Sequence, residues 1–106
     1  MTDQQIFQKL NELKDKGVPF SLATIIKTTG STPRDVGAKM MVSADGSLYG
    51  TVGGGCGENQ VRSVAMRSAV TNGKPEVVQV DLTDDIGTKG GAVCGGRMWV
   101  FVEPIR

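Results

Sequence analysis

Histidine is absent from all 106 residues, and that absence excludes more than any residue present. Without an imidazole the chain alone builds no Ser-His-Asp triad, no histidine general base and no His-based zinc or iron site. An excess of one charge is missing too. Twelve Lys and Arg stand against eleven Asp and Glu, so bulk electrostatics gives no reason to expect nucleic acid as a partner. No apolar run approaches the ~20 residues that cross a bilayer, and the start, MTDQQIFQKL, lacks the basic and apolar stretches of a signal peptide. The expectation is a cytoplasmic protein with no membrane contact. Cysteine occurs only twice, as Cys56 and Cys94. In a reducing compartment these are read as thiols rather than a structural disulfide. Two cysteines without histidine also fall short of the four ligands of a closed zinc site, so no metal ligands are expected.

What is abundant is glycine, 15 of 106 residues, about twice the usual ~7%. Glycine costs stability inside helices and strands, so the excess belongs in loops that need unusual backbone angles or close approach of a ligand. A chain of this length can bury roughly 60–68% of the surface its unfolded form exposes, enough for one domain with its own core. Thr2 and Gln5 have capping-box spacing, and Ile6, Phe7, Leu10 and Leu13 follow as one helical face that Gly17 and Pro19 end. Phe20 to Thr28 reads as a buried strand. Ala38 to Ser43 and Ser47 to Tyr49 flank the turn dipeptide Asp45-Gly46 and read as a hairpin. A second helix is expected from Glu58 to Thr71, with Val61, Val64, Ala65, Ser68 and Ala69 as its buried stripe and Asn72-Gly73 closing it. Glu76 to Asp81 and Arg97 to Glu103 complete the strands. The fold class implied is a small single α+β or mixed α/β domain, with about five strands in a mixed sheet and two helices.

Three segments resist regular structure: Thr29 to Gly37, Gly50 to Gly57 and Leu82 to Gly96. Functional residues favour loops held on a rigid scaffold. The run Gly53-Gly54-Gly55-Cys56 enters the second helix, where unpaired N–H groups and a partial positive charge suit an anion and lower a thiol's pKa. Its spacing matches neither GxGxxG nor GxxxxGK[ST], and a plain glycine turn for close packing accounts for it equally. Cys94 and Gly95 lie in a similar glycine setting next to Arg97, 38 positions after Cys56. Arg34, with Ser31 and Thr32, could bind an anionic group, or the segment could be an ordinary polar loop. Lys39 could assist, although a strand lysine is usually solvated. Asp84 and Asp85 read as turn or cap residues before acid–base or magnesium ligands. Trp99, Phe101 and Val102 alternate with Val100 as core and sheet surface.

Taken in order, Gly30-Ser31-Thr32-Pro33-Arg34, Gly53-Gly54-Gly55-Cys56, Asp81-Leu82-Thr83-Asp84, Cys94-Gly95-Gly96 and Val100-Phe101-Val102-Glu103-Pro104 resemble the N-terminal domain of the xanthine dehydrogenase accessory factor (XdhC/CoxI) family. The resemblance extends from about Phe20 to Pro104. It implies a domain spanning residues 1–106 without the Rossmann-type C-terminal domain usual in that family. It further implies an accessory protein, not an enzyme with turnover. Such a protein binds the molybdenum cofactor (molybdopterin), or a similar anionic, sulfur-rich cofactor, during maturation of a xanthine dehydrogenase or related molybdenum hydroxylase. The motif positions it assigns to cofactor binding are Gly53, Gly54, Gly55, Cys56, Cys94, Gly95 and Arg34. The expected partners are a molybdenum hydroxylase apo-enzyme or a separately encoded accessory-factor domain, with a homodimer left open. Two other readings stay open: a thiol-dependent enzyme using Cys56, and a non-catalytic module that docks a partner domain.

Overall fold

Among the described residues of this computed structural model seven elements form: α1 (Asp3–Asp15), β1 (Phe20–Thr29), β2 (Lys39–Ser43), β3 (Leu48–Gly50), α2 (Glu58–Thr71), β4 (Glu76–Asp81) and β5 (Arg97–Ile105). The structure describes residues 2–32, 34–52, 57–82 and 95–105. The capping box starts α1 as expected. The Thr2 hydroxyl accepts from the Gln5 N–H at 3.2 Å, and Gln5 Oε1 accepts from the Thr2 N–H at 2.8 Å. Ile6 and Leu13 are buried beneath it, whereas Phe7 is 49% exposed, against the expectation that it shares the buried face. One residue is about 100° of helical rotation, which puts Phe7 on the flank. There the Lys39 ammonium lies 5.8 Å from its ring.

The strands form one sheet in the order β3-β2-β1-β5-β4. The class is α+β with five strands and two helices, as expected, but the sheet is antiparallel at every pairing rather than mixed. The reason lies in the one helical crossover. From these pairings β3 and β4 run the same way, yet α2 carries the chain from one edge of the sheet to the other. Strands with parallel directions therefore never become neighbours, and no parallel ladder forms. β5 also runs two residues past its expected end, through Pro104. Its pairing with β4 stops at Val102, so a residue without an N–H is tolerated beyond that point.

The period-2 alternation of the strands sorts their side chains onto two faces. Ala23, Ile25, Met40, Val42, Val100 and Val102 face α2 and pack with its Val61 and Ala65. Phe20, Leu22 and Met41 face α1 and pack with Ile6 and Leu13. β1 and β2 are thus buried on both sides, which is why they read as continuous apolar runs. Each fully buried Val, Ile, Phe or Met side chain among them contributes roughly 1.5–3 kcal/mol. α1 packs over β2 and β3, leaving the β4–β5 half of its face open. Val77 is 51% exposed there and Trp99 and Phe101 are half-buried, with the Lys27 ammonium 4.7 Å from the Trp99 ring.

The hairpin between β2 and β3 is held by Asp45. Its carboxylate accepts from the Ser43 hydroxyl and from the Ser47 N–H at 2.9 Å. These bonds, the Ser43 hydroxyl foremost, hold the Asp45 pKa at about 2, below the ordinary 3.8. Because the folded pKa is depressed, the contribution is present above the unfolded pKa and is lost as pH falls through the folded one. The gap in melting temperature between the wild type and Asp45→Asn should therefore be constant above about pH 5 and close as pH falls from about 4 to about 2. A gap that stays constant down to pH 2 would show that these bonds do not favour the ionised form.

Candidate functional site at the loop-bearing end of the sheet

The strand directions decide where the glycine-rich connections meet. β1, β3 and β4 run one way and β2 and β5 the other. The carboxyl ends of β1, β3 and β4 therefore share one end of the sheet with the amino ends of β2, β5 and α2. All three irregular segments singled out in the sequence join their strands at this end.

Close contacts lock the junctions together. The Leu82 N–H donates to the Gly96 carbonyl at 2.9 Å, tying the end of β4 to the start of β5. A Cβ on Gly96 would sit 2.6 Å from the Thr29 carbonyl oxygen and closer still to that of Ser31. A Cβ on Gly30 would lie 3.0 Å from the Gly95 carbonyl oxygen. The start of α2 is set in the same way. Gly57, its N-cap, has φ +77° and provides no side-chain cap, and a Cβ there would meet Val80 at under 3.0 Å and Leu82 at 3.1 Å. Thr51 donates its hydroxyl to the Glu58 carboxylate, bracing the two sides of the connection between β3 and α2.

The sequence-predicted residues fall into two groups. Arg34 and Gly95 are both exposed at this end of the sheet, and the Gly30–Gly95 approach brings the start of Arg34's loop against β5. No contact between the Arg34 side chain and Gly95 is among the described ones. Gly53, Gly54, Gly55, Cys56 and Cys94 lie outside the described residues, as do Asp84 and Asp85. Of their described chain neighbours, Gly57 packs against Leu82, and Leu82 is hydrogen-bonded to Gly96, which follows Gly95. Asp81 is 3.5 Å from Arg97 Nε, an ion pair across the β4–β5 ladder. Among the described residues no group of three or more metal-ligating side chains forms, and no helix is long and apolar enough to cross a membrane.

Arg34 stands on a cleft of about 270 Å³ lined also by Asp3, Asp35, Val36, Gly37 and Ala38. The Thr32 hydroxyl donates to the Arg34 carbonyl at 2.9 Å, fixing that turn. Sequence reasoning missed the strut beneath it. Lys39 is not solvated: its side chain is 18% exposed, its ammonium donates to the Gly37 carbonyl at 2.9 Å, and it lies 3.7 Å from the Asp3 carboxylate. The signal was present in the alternation of β2, which puts Lys39 on the face of Met41 and so towards α1. The arrangement supplies a guanidinium and helix-start amides at one end of a rigid sheet, a combination suited to an anionic ligand.

Comparison with known proteins shows what the chain is similar to. YqeB of Escherichia coli K12, itself without an assigned function, is 37% identical over 98 residues, which are 92% of this chain and 18% of YqeB. A protein of Bacillus subtilis 168 described as a probable xanthine dehydrogenase subunit is 34% identical over 88 residues, 79% of this chain and 26% of that protein. The crystal structure of a xanthine dehydrogenase from Bacillus halodurans superposes with a TM-score of 0.78 at 33% identity, over 93% of this chain and 30% of that one. The chain thus spans less than a third of the length of these relatives. A family model described as the XdhC and CoxI family matches residues 13–81. That stretch runs from the last turn of α1 through β1, the Arg34 loop, the triple-glycine segment and α2 to the end of β4, and by it this chain belongs to the XdhC and CoxI family.

Proposed function

We propose that this chain is an accessory domain that binds the molybdenum cofactor, or a similar anionic and sulfur-rich cofactor, at the loop-bearing end of its sheet, for maturation of a xanthine dehydrogenase or related molybdenum hydroxylase. The observation that supports this most is the convergence of the three glycine-rich connections on one end of the sheet, in a chain of this family. Among the described residues, no atom of another segment lies within 4 Å of where a Cβ on Gly95 would stand, a position that suits close approach of a ligand. Arg34 is exposed on the neighbouring cleft. These features fit a ligand with a phosphate and a soft metal–sulfur centre. In this reading Arg34 and the amides of Gly53, Gly54, Gly55 and Gly95 hold the anionic part. The Cys56 and Cys94 thiolates hold or shield the soft part. The cofactor supplies the metal–sulfur chemistry when bound. The protein binds, orients and excludes water, and turns nothing over. Its place is the cytoplasm, where thiols stay reduced.

The test is direct. Purified chain is mixed with molybdenum cofactor, and retention on gel filtration is compared with that of Cys56→Ser, Cys94→Ser and the double variant. The double variant should bind at least about tenfold more weakly, the scale of losing one charge-assisted contact. Binding equal to wild type would remove the thiols from the site. One observation favours a second reading. The open β4–β5 face, where Val77 is 51% exposed, suits a module that docks a partner domain. Co-purification with a molybdenum hydroxylase while no cofactor is retained would favour that reading over the first.

A further inference from the structure

At the carboxyl end of α2 lies a hollow of about 250 Å³ whose walls include Arg67, Ser68, Thr71, Gly73, Lys74 and Glu76. α2 has 14 residues, so this hollow is about 20 Å, the length of the helix, from the loop-bearing end. We propose that it is a second site, for an oxyanion the size of phosphate. Ser68 is only 6% exposed, and its hydroxyl has no hydrogen-bond partner among the described residues. A buried hydroxyl left unmet is unfavourable, and rotation about its single χ1 bond reaches other donor directions. Two cations and one carboxylate line the hollow. Arg67 holds Glu76 at 3.0 Å through one terminal nitrogen, leaving other N–H groups of the guanidinium to donate. Lys74 has neither ion pair nor hydrogen bond among the described residues, and the Gly73 amide is likewise unengaged there.

The negative end of a helix opposes an anion, but here it is partly answered. The Asn72 N–H, in the left-handed conformation at φ 52°, donates to the Ser68 carbonyl at 2.8 Å. The Thr71 hydroxyl donates to the Arg67 carbonyl at 2.8 Å. The Arg67 and Ser68 carbonyls at the hollow are thus already engaged, and the two cations of its walls outnumber the one carboxylate. Donors from a guanidinium, an ammonium, a hydroxyl and a free amide fit the several acceptor oxygens of phosphate better than they fit a cation or an apolar ligand.

The experiment is an amide NMR titration of the intact chain with inorganic phosphate, with chloride at matched ionic strength as reference. Glycerol phosphate as a parallel arm separates a free ion from a phosphomonoester. Saturable shifts of the Gly73 and Lys74 amides in the millimolar range are expected, weakened about tenfold in Lys74→Gln and weakened in Ser68→Ala. The Cys56→Ser, Cys94→Ser double variant should leave them unchanged. Shifts that grow linearly without saturation, that chloride reproduces, or that survive both Lys74→Gln and Ser68→Ala would overturn the site and leave the hollow ordinarily hydrated. Lys74 is on the surface, so its variant reads the site even if Ser68→Ala loosens the fold.

Discussion

Replacing Gly96 with alanine should destabilise the fold by about 3 kcal/mol, the upper range for forcing a methyl into a packed site. The new Cβ would stand 2.6 Å from the Thr29 carbonyl oxygen and nearer to that of Ser31. Both obstacles are backbone atoms. They cannot rotate aside, and Thr29 is held in register with Arg97 in the β1–β5 ladder. Relief therefore requires the start of β5 to part from the end of β1, which also strains the Leu82–Gly96 hydrogen bond. The neighbouring residue is the control. Gly95 has open space where its Cβ would be, but a φ of +79°, so Gly95→Ala should cost only the left-handed penalty of about 1–2 kcal/mol. Urea unfolding of the two variants checks this. If Gly96→Ala costs no more than Gly95→Ala, the interlocking of the loop-bearing end has been misread.

That contrast also marks what the sequence could and could not disclose. Local signals were legible because their physics is local. The Thr2–Gln5 capping box, the bounds of α2 at Glu58 and Thr71, and β4 from Glu76 to Asp81 all form as their residues suggest. The Asn72 terminus was legible too, since few side chains accept a left-handed backbone. Beyond the β2–β3 hairpin, which forms as Asp45-Gly46 suggests, strand neighbours were not. Nothing between Tyr49 and Glu76 states that α2 crosses to the far edge, and that crossing alone makes the sheet antiparallel. Exposure at the margins was equally hidden. Phe7 reads as core on a helical wheel and lies on a flank, while Lys39 reads as solvated and braces the Arg34 loop.

The candidate site shows the same division. Its loops were recognisable from glycine content, and their meeting at one end follows only from strand direction. Glycine itself was ambiguous in the sequence, serving either ligand approach or close packing. In the structure two adjacent glycines differ: a Cβ on Gly96 would run into the backbone of Thr29 and Ser31, and one on Gly95 would meet nothing within 4 Å among the described residues. A composition count cannot separate the two, because the difference is made by residues far away along the chain, at Thr29 and Ser31.

Gly57 offers the second large effect, and a means of tracing its cause. Gly57→Ala combines a left-handed φ of +77° with a Cβ at under 3.0 Å from the Val80 side chain, so a loss of about 3 kcal/mol is expected. Val80→Ala alone should cost about 2 kcal/mol through the cavity it leaves in the core under α2. Together they should cost less than their sum by at least about 1 kcal/mol, because the truncated residue 80 admits the new methyl. The conformational share of the loss remains in the double variant, since no change at position 80 alters φ at position 57. Chemical denaturation of the four proteins closes the cycle. Additivity within about 0.5 kcal/mol would mean that the two positions do not press on one another. In that case α2 does not begin against β4, and the end of the sheet where the three connections meet is looser than these contacts imply. Coupling of the expected size instead fixes the start of α2 to β4, which the ladder and the Leu82–Gly96 hydrogen bond tie to β5, making one frame from which the chain enters the triple-glycine and Cys94 segments.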